Sequence, residues 1–280
     1  MVVSALEEFA QLVAPEIEDE RIDLLAAVLA VARSEYPKLD AEVYVRRVDQ
    51  FADRVRAVLP RYAEVPEIIS ALNRVLFIEE GFRGNREDYY DRRNSYLNEV
   101  LDRKLGIPIT LAVLYIEVAR RVGFAVFGVG MPGHFLLKFF DAAGHPTVLD
   151  VYDGGRVLSA SECQARLEQV FGEHASMQPE FLNTVSRRQI LTRILNNLKN
   201  IYLTSRDFRR ALTVIDLILV IYPRSAEEVR QRALLRYNVG QLKGAAEDLE
   251  LYLKMAPEAS DADEMRLLAL SVRRTLIQMN

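Results

Sequence analysis

The sequence predicts an α+β domain, rich in helices and carrying a small antiparallel sheet, followed by an all-α module of paired helices. Three observations point that way. Apolar residues recur at helical spacing through the first eighty positions. One long apolar stretch, LGIPITLAVLYIEVARRVG, gives way after Gly123 to short β-rich runs. The C-terminal third resembles itself at a fixed interval. The expected division is residues 1–178 and 179–280, with Gln178-Pro179 marking the boundary.

Element by element, Ile22, Leu25, Ala26 and Leu29 give a helix over residues 19–33 that Tyr36-Pro37 ends. A second helix follows Asp40 and runs through Val48, Phe51 and Val55 to Pro60, and a third covers Glu67 to Glu79. The charged, glycine-punctuated run GFRGNREDYYDRRN reads as a surface loop before a helix near Tyr96 to Arg103. Pro108 suits the first turn of the next helix, Pro108 to Val122, because proline lacks the N–H that would be unpaired there. Three strands are expected, at Phe124 to Val129, Phe135 to Phe140 and Thr147 to Tyr152, separated by MPGH and AAGHP turns. Ser159 or Ser161 then caps a helix carrying Cys163, Leu167, Val170 and Phe171.

In the C-terminal third, Ala211 recurs as Ala245, and Pro223 recurs as Pro257 at the same interval. That interval is the tetratricopeptide period, with a small residue where the two helices of a unit touch and a proline after the second. Two repeats and a capping helix from Asp261 to Met279 account for the rest, and two repeats alone are marginal, so support from the first domain is expected. The repeat frame puts Arg193, Asn196, Asn200 and Arg230 on groove-facing positions, where their donors suit peptide carbonyls or a carboxylate.

Charge narrows the function. The 36 basic and 40 acidic residues nearly cancel, leaving −4, so no field attracts nucleic acid or anionic lipid. No apolar run approaches a membrane span, the start lacks a signal-peptide pattern, and the single cysteine excludes an intramolecular disulfide. A cytoplasmic protein is expected. His145 and His174 sit in polar, loop-like contexts, and no H-x-x-x-H or comparable spacing supports a metal site. No cofactor is expected either.

The central segment resembles the transglutaminase-like superfamily, whose papain-like domain carries a G-x-C-x-x-x-A-x-L run at a helix start, then a histidine and an aspartate on successive strands. Gly106, Ala112, Leu114, Arg120 and Gly123 fall at the matching offsets, and His134 and Asp150 follow in order. In such a site the helix N-terminus drives a thiol toward thiolate, the histidine takes its proton, and the aspartate orients the imidazole. Here the nucleophile position is Pro108, which cannot attack a carbonyl. Thr110 is rotated from it by about 200° on a helix. Ser95 reads as a cap or turn residue, and Cys163 as a buried, inert thiol.

Beyond the superfamily, YYDRRNSYLNEVLDRKLGIPITLAVLYIEVARRVG, MPGHFLLKF and LDVYDGG closely resemble the bacterial SirB-type family, from about Ser4 to Pro257. In that family a transglutaminase-like domain precedes tetratricopeptide repeats. The resemblance implies that Asn94, Tyr96, Asn98, Gly106, Pro108, His134 and Asp150 line a former active site. The expected function is non-catalytic binding of a protein or peptide partner through the repeats, with no nucleic acid and no membrane. The alternative is an acyl transferase or amide hydrolase using His134 and Asp150 with water or an unrecognised nucleophile.

Overall fold

The computed structural model describes residues 4–141 and 143–279. They form two compact units: one spans Asp19–Ile194, and the other joins the residues up to Glu18 to those from Leu195 onward. The chain starts in the second of these with α1 (Ala5–Val13), opened by a capping box in which Ser4 and Glu7 satisfy each other's backbone N–H.

The first unit is built on helices whose burial follows from their sequence. α2 (Leu24–Arg33) is buried along nearly its whole length, and Asp23 caps it by accepting from the Ala26 N–H at 3.0 Å. α3 (Ala41–Val58) is amphipathic, burying Val48, Phe51, Ala52 and Val55 while Val43 and Val58 stay exposed. α4 (Val65–Asn73) runs into a π-helical segment, Arg74–Glu79, that the plain helical reading of residues 67–79 did not distinguish. β1 (Arg83–Gly84), α5 (Leu97–Arg103) and β2 (Leu105–Gly106) follow, with β1 and β2 pairing in parallel; β1 lies inside the segment expected to be loop.

α6 (Pro108–Arg121) starts with Pro108 in its first turn and is buried on all sides from Pro108 to Tyr115. The sheet that packs near it has four strands rather than three: β3 (Phe127–Val129), β4 (Leu136–Phe140), β5 (Pro146–Asp150) and β6 (Arg156–Leu158), antiparallel in that order. Only three residues long and following two glycines, β6 is too short to show an alternating pattern. α7 (Ala160–Phe171) carries the expected Ser159 cap, but its buried stripe is Cys163 and Leu167, with Val170 and Phe171 exposed.

α8 (Arg187–Thr204) begins in the first unit and ends in the second. The packing boundary therefore falls later than the expected 178/179. Asp19 of the first unit accepts from the backbone N–H groups of Arg187 and Arg188 at 2.7 and 3.0 Å, which ties the start of α8 there.

The second unit continues with α9 (Phe208–Ile221), α10 (Ala226–Asn238), α11 (Leu242–Met255) and α12 (Ala262–Met279). Phe9 and Val13 are the buried residues of α1, which packs on α9, so the N-terminal helix joins the repeats rather than the first domain. The repeat period is visible in the backbone. Arg206 and Gly240, one repeat apart, both take positive φ, at 57° and 77°. Beside them the Asp207 and Gln241 N–H groups donate to Tyr202 and Arg236 carbonyls, each at 2.8 Å. Ala211 and Ala245 are completely buried at the helix contacts, as the spacing required.

Candidate functional site

The site is assembled by a turn, a strand end and the helix α7 of the first unit. His134 follows a tight turn in which its N–H donates to the Met131 carbonyl at 3.1 Å. That turn needs Gly133: φ is +73°, and a Cβ there would stand 2.6 Å from Val170. Asp150 ends β5. Its Oδ1 accepts from the N–H groups of Tyr152 and Asp153 at 2.9 and 3.3 Å, capping the following turn.

The other carboxylate oxygen does different work. Asp150 Oδ2 lies 2.9 Å from His134 Nε2 and 2.8 Å from an Arg166 guanidinium nitrogen. Asp150 is inaccessible to solvent, and His134 is nearly so. Burial alone would push the Asp150 carboxyl up. The His134 hydrogen bond and charge, the Arg166 charge and the Tyr152 N–H outweigh it and hold the group below the usual carboxylate range.

Arg166 and Tyr152 were not singled out in the sequence. Tyr152, two residues past Asp150 in LDVYDGG, places its ring edge-on to His134 at 6.1 Å between centroids and donates its O–H to the Asn85 carbonyl at 2.9 Å. Gly84 makes room for it, since a Cβ there would come within 2.3 Å of the ring. Tyr152 also lines a cleft of about 530 Å³ with Phe77, Phe82, Arg83 and Arg86. The signal for Arg166 was slight: it lies one helical turn after the buried Cys163 on α7.

The remaining expected residues are distributed as follows. Pro108 is buried at the first position of α6. Thr110, also buried, donates to the Asn94 carbonyl at 2.7 Å and accepts from the Ile107 N–H at 3.2 Å, so it fastens the start of α6. Asn94 has no exposed surface; its amide donates to the Asp88 and Tyr89 carbonyls and its Oδ1 accepts from Asn85. Tyr96 is buried edge-on to Tyr36, and Asn98 is buried with an Oδ1 that has no partner among the described residues. Ser95 does not cap α5: its hydroxyl is buried and without a partner among the described residues. Cys163 packs among Val129, Met131 and Leu136, and burial pushes its thiol up. His145 is exposed beside Asp141, away from this cluster.

Two of the expected groove residues are engaged by groups of the chain itself. Arg193 lies within the first unit, where its guanidinium donates to the His134 and Met131 carbonyls at 2.7 and 3.2 Å. Arg230 is taken up by an ion pair with Asp261, whose other oxygen accepts from the Tyr252 hydroxyl at 2.6 Å. Asn196 is half-buried and Asn200 exposed on α8. Among the described residues no cluster of three or more His, Cys, Asp or Glu could hold a metal, and no helix is long and apolar enough to cross a membrane.

Comparison with known proteins agrees with this division. A family described as the transglutaminase-like superfamily matches residues 42–196, and a tetratricopeptide repeat family matches 198–269. A UPF0162 protein of Xylella fastidiosa is 39% identical over 253 residues, covering 89% of this chain and 90% of the relative. A UPF0162 protein of Vibrio cholerae is 26% identical over 247 residues, covering 88% and 91%. Mouse F-box only protein 21 is 30% identical over 184 residues, which span 62% of this chain and 28% of that protein.

Proposed function

The chain belongs to the transglutaminase-like superfamily, as one of the UPF0162 proteins, and from that premise we propose that it is a non-catalytic interaction protein whose repeats hold a peptide or protein partner. One observation carries the reading: Pro108 occupies the helix-start position at which the superfamily places its nucleophile. The arrangement of Asp150 supports it. Arg166 shares the oxygen that meets His134, which diverts carboxylate charge from the imidazolium that an acyl-transfer cycle must stabilise. In the repeats, half-buried Asn196 and exposed Asn200 offer carboxamides suited to peptide backbone. A buried, unpaired Cys163 suits a reducing cytoplasm.

The test is chemical. The wild-type protein is expected to incorporate no amine into glutamine peptides and to hydrolyse no amide. Pro108→Cys is expected to create a thiol that alkylates at least about tenfold faster at neutral pH than Cys163, because the helix start favours thiolate. A second reading, hydrolysis by water activated at His134, draws on the intact 2.9 Å contact between His134 and Asp150. Wild-type turnover that disappears in His134→Ala would establish it and sink the non-catalytic proposal.

A further inference from the structure

Arg193 is held by neutral acceptors, and among the described residues no acid pairs with it. Its Nη2 donates to the carbonyls of His134 and Met131, at 2.7 and 3.2 Å, and its guanidinium lies over the Phe135 ring at 5.5 Å. These contacts fix the group against three residues of the His134 turn. They do not neutralise it, because both acceptors are uncharged carbonyls. Two other half-buried arginines of the same unit are matched by acids, Arg121 by Asp49 and Glu117 and Arg166 by Asp150 and Asp153, whereas Arg187 donates its guanidinium to the Glu20 and Ile22 carbonyls. A partly buried cation without a counter-ion is costly, and an anionic ligand would relieve that cost.

The surroundings define which anion. Tyr89 belongs to the same cluster of rings as His134, and burial pushes its phenol up, so it stays an O–H donor. Its ring meets Tyr152 at 6.3 Å between centroids, and Tyr152 meets His134 at 6.1 Å. The nearby Arg86 is committed to Asp153 at 3.0 Å. One uncompensated positive charge with one phenol beside it matches a single negative charge rather than a phosphate dianion.

We propose that Arg193 and Tyr89, beside the nearly buried ring of His134, form a subsite for a carboxylate, supplied by a peptide C-terminus or an acidic side chain. The inference goes beyond binding by the repeats, giving the first unit a ligand site of its own, and because its readout is binding it stands or falls separately from the chemistry of Pro108.

The experiment follows the side-chain NMR signals of the three histidines, with His145 and His174 as internal controls. Three probes are titrated: N-acetyl-glycyl-glycine with a free carboxylate, the same peptide amidated, and N-acetyl-glutamyl-glycinamide. Saturable shifts at His134 are expected with the first and none with the second; a response to the third identifies side-chain carboxylates as a source. Arg193→Gln is expected to weaken binding by about tenfold, the loss of one charge-assisted hydrogen bond, while Arg193→Lys retains part of it. The proposal fails if the wild type shows no saturable shift up to about 50 mM carboxylate, a range that covers weak subsites. It fails equally if Arg193→Gln binds as tightly as the wild type. Should Arg193→Gln not fold, Tyr89→Phe decides, since it leaves the Arg193 contacts intact: weaker binding supports the subsite and unchanged affinity overturns it.

Discussion

The repeats and the His134 region use buried charge in opposite ways. In the repeats Arg232 bridges α9 and α11, meeting Asp216 at 2.9 Å and Asp248 at 2.7 Å, and Arg236 meets Asp248 at 2.8 Å. Every charge in that cluster has a counter-charge. In the His134 region one carboxylate, Asp150, serves both His134 and Arg166, while Arg193 touches only carbonyls among its hydrogen-bond partners. Closed charge sets stiffen a stack of helices, whereas an open set is a condition for receiving something from outside.

The largest effect that would test this contrast is at Asp248, which is 3% exposed. Asp248→Ala leaves Arg232 and Arg236 without their shared acid and is expected to cost about 3 kcal/mol in urea unfolding. A loss below about 1 kcal/mol would show that the cluster does not organise the stack. Asp150→Asn comes next, at about 2 kcal/mol near neutral pH. Its pH dependence has a definite sign. The folded carboxyl titrates below its ordinary 3.8, so its stabilisation is present above that value and is lost as pH falls through the folded pKa. Stability curves of wild type and Asp150→Asn should therefore converge in acid; parallel curves would remove Asp150 from the charge balance. Smallest is Arg230→Ala, whose side chain is 28% exposed, so that its ion pair with Asp261 is screened by solvent. The expected loss is about 0.5 kcal/mol, as for other partly exposed pairs. A loss as large as that of Asp248→Ala would place Arg230 within the closed set.

Much of the architecture was legible because it repeats or is capped locally. Ala211 and Ala245 announced the repeats, and Ser159 and Pro108 announced helix starts, since these features act within one or two turns of the chain. What escaped was set by distant contacts. β1 and β2 are two residues each and pair across about twenty positions, too short for any period to register. α1 carries a local cap in Ser4 and Glu7 that the sequence reading passed over, and nothing local said that it would pack on α9. For the site, His134 and Asp150 were readable from their order. Arg166 and Arg193 were not, because their roles depend on a strand end and a turn far from them in the chain. The repeat frame even misdirected Arg193: it belongs to α8 at the right phase, but in the stretch of that helix that packs with the first unit.

Asp150 has two employments, and they differ in who would miss it. One oxygen holds the backbone of Tyr152 and Asp153; the other meets His134 and Arg166. Removing the aspartate would cost the turn whatever the site does. Folding alone is thus enough to retain an aspartate at this position, and His134 has a buried acceptor waiting for as long as it stays. The two oxygens of one side chain thus couple the shape of the turn to the orientation of the imidazole, so that neither can change without the other.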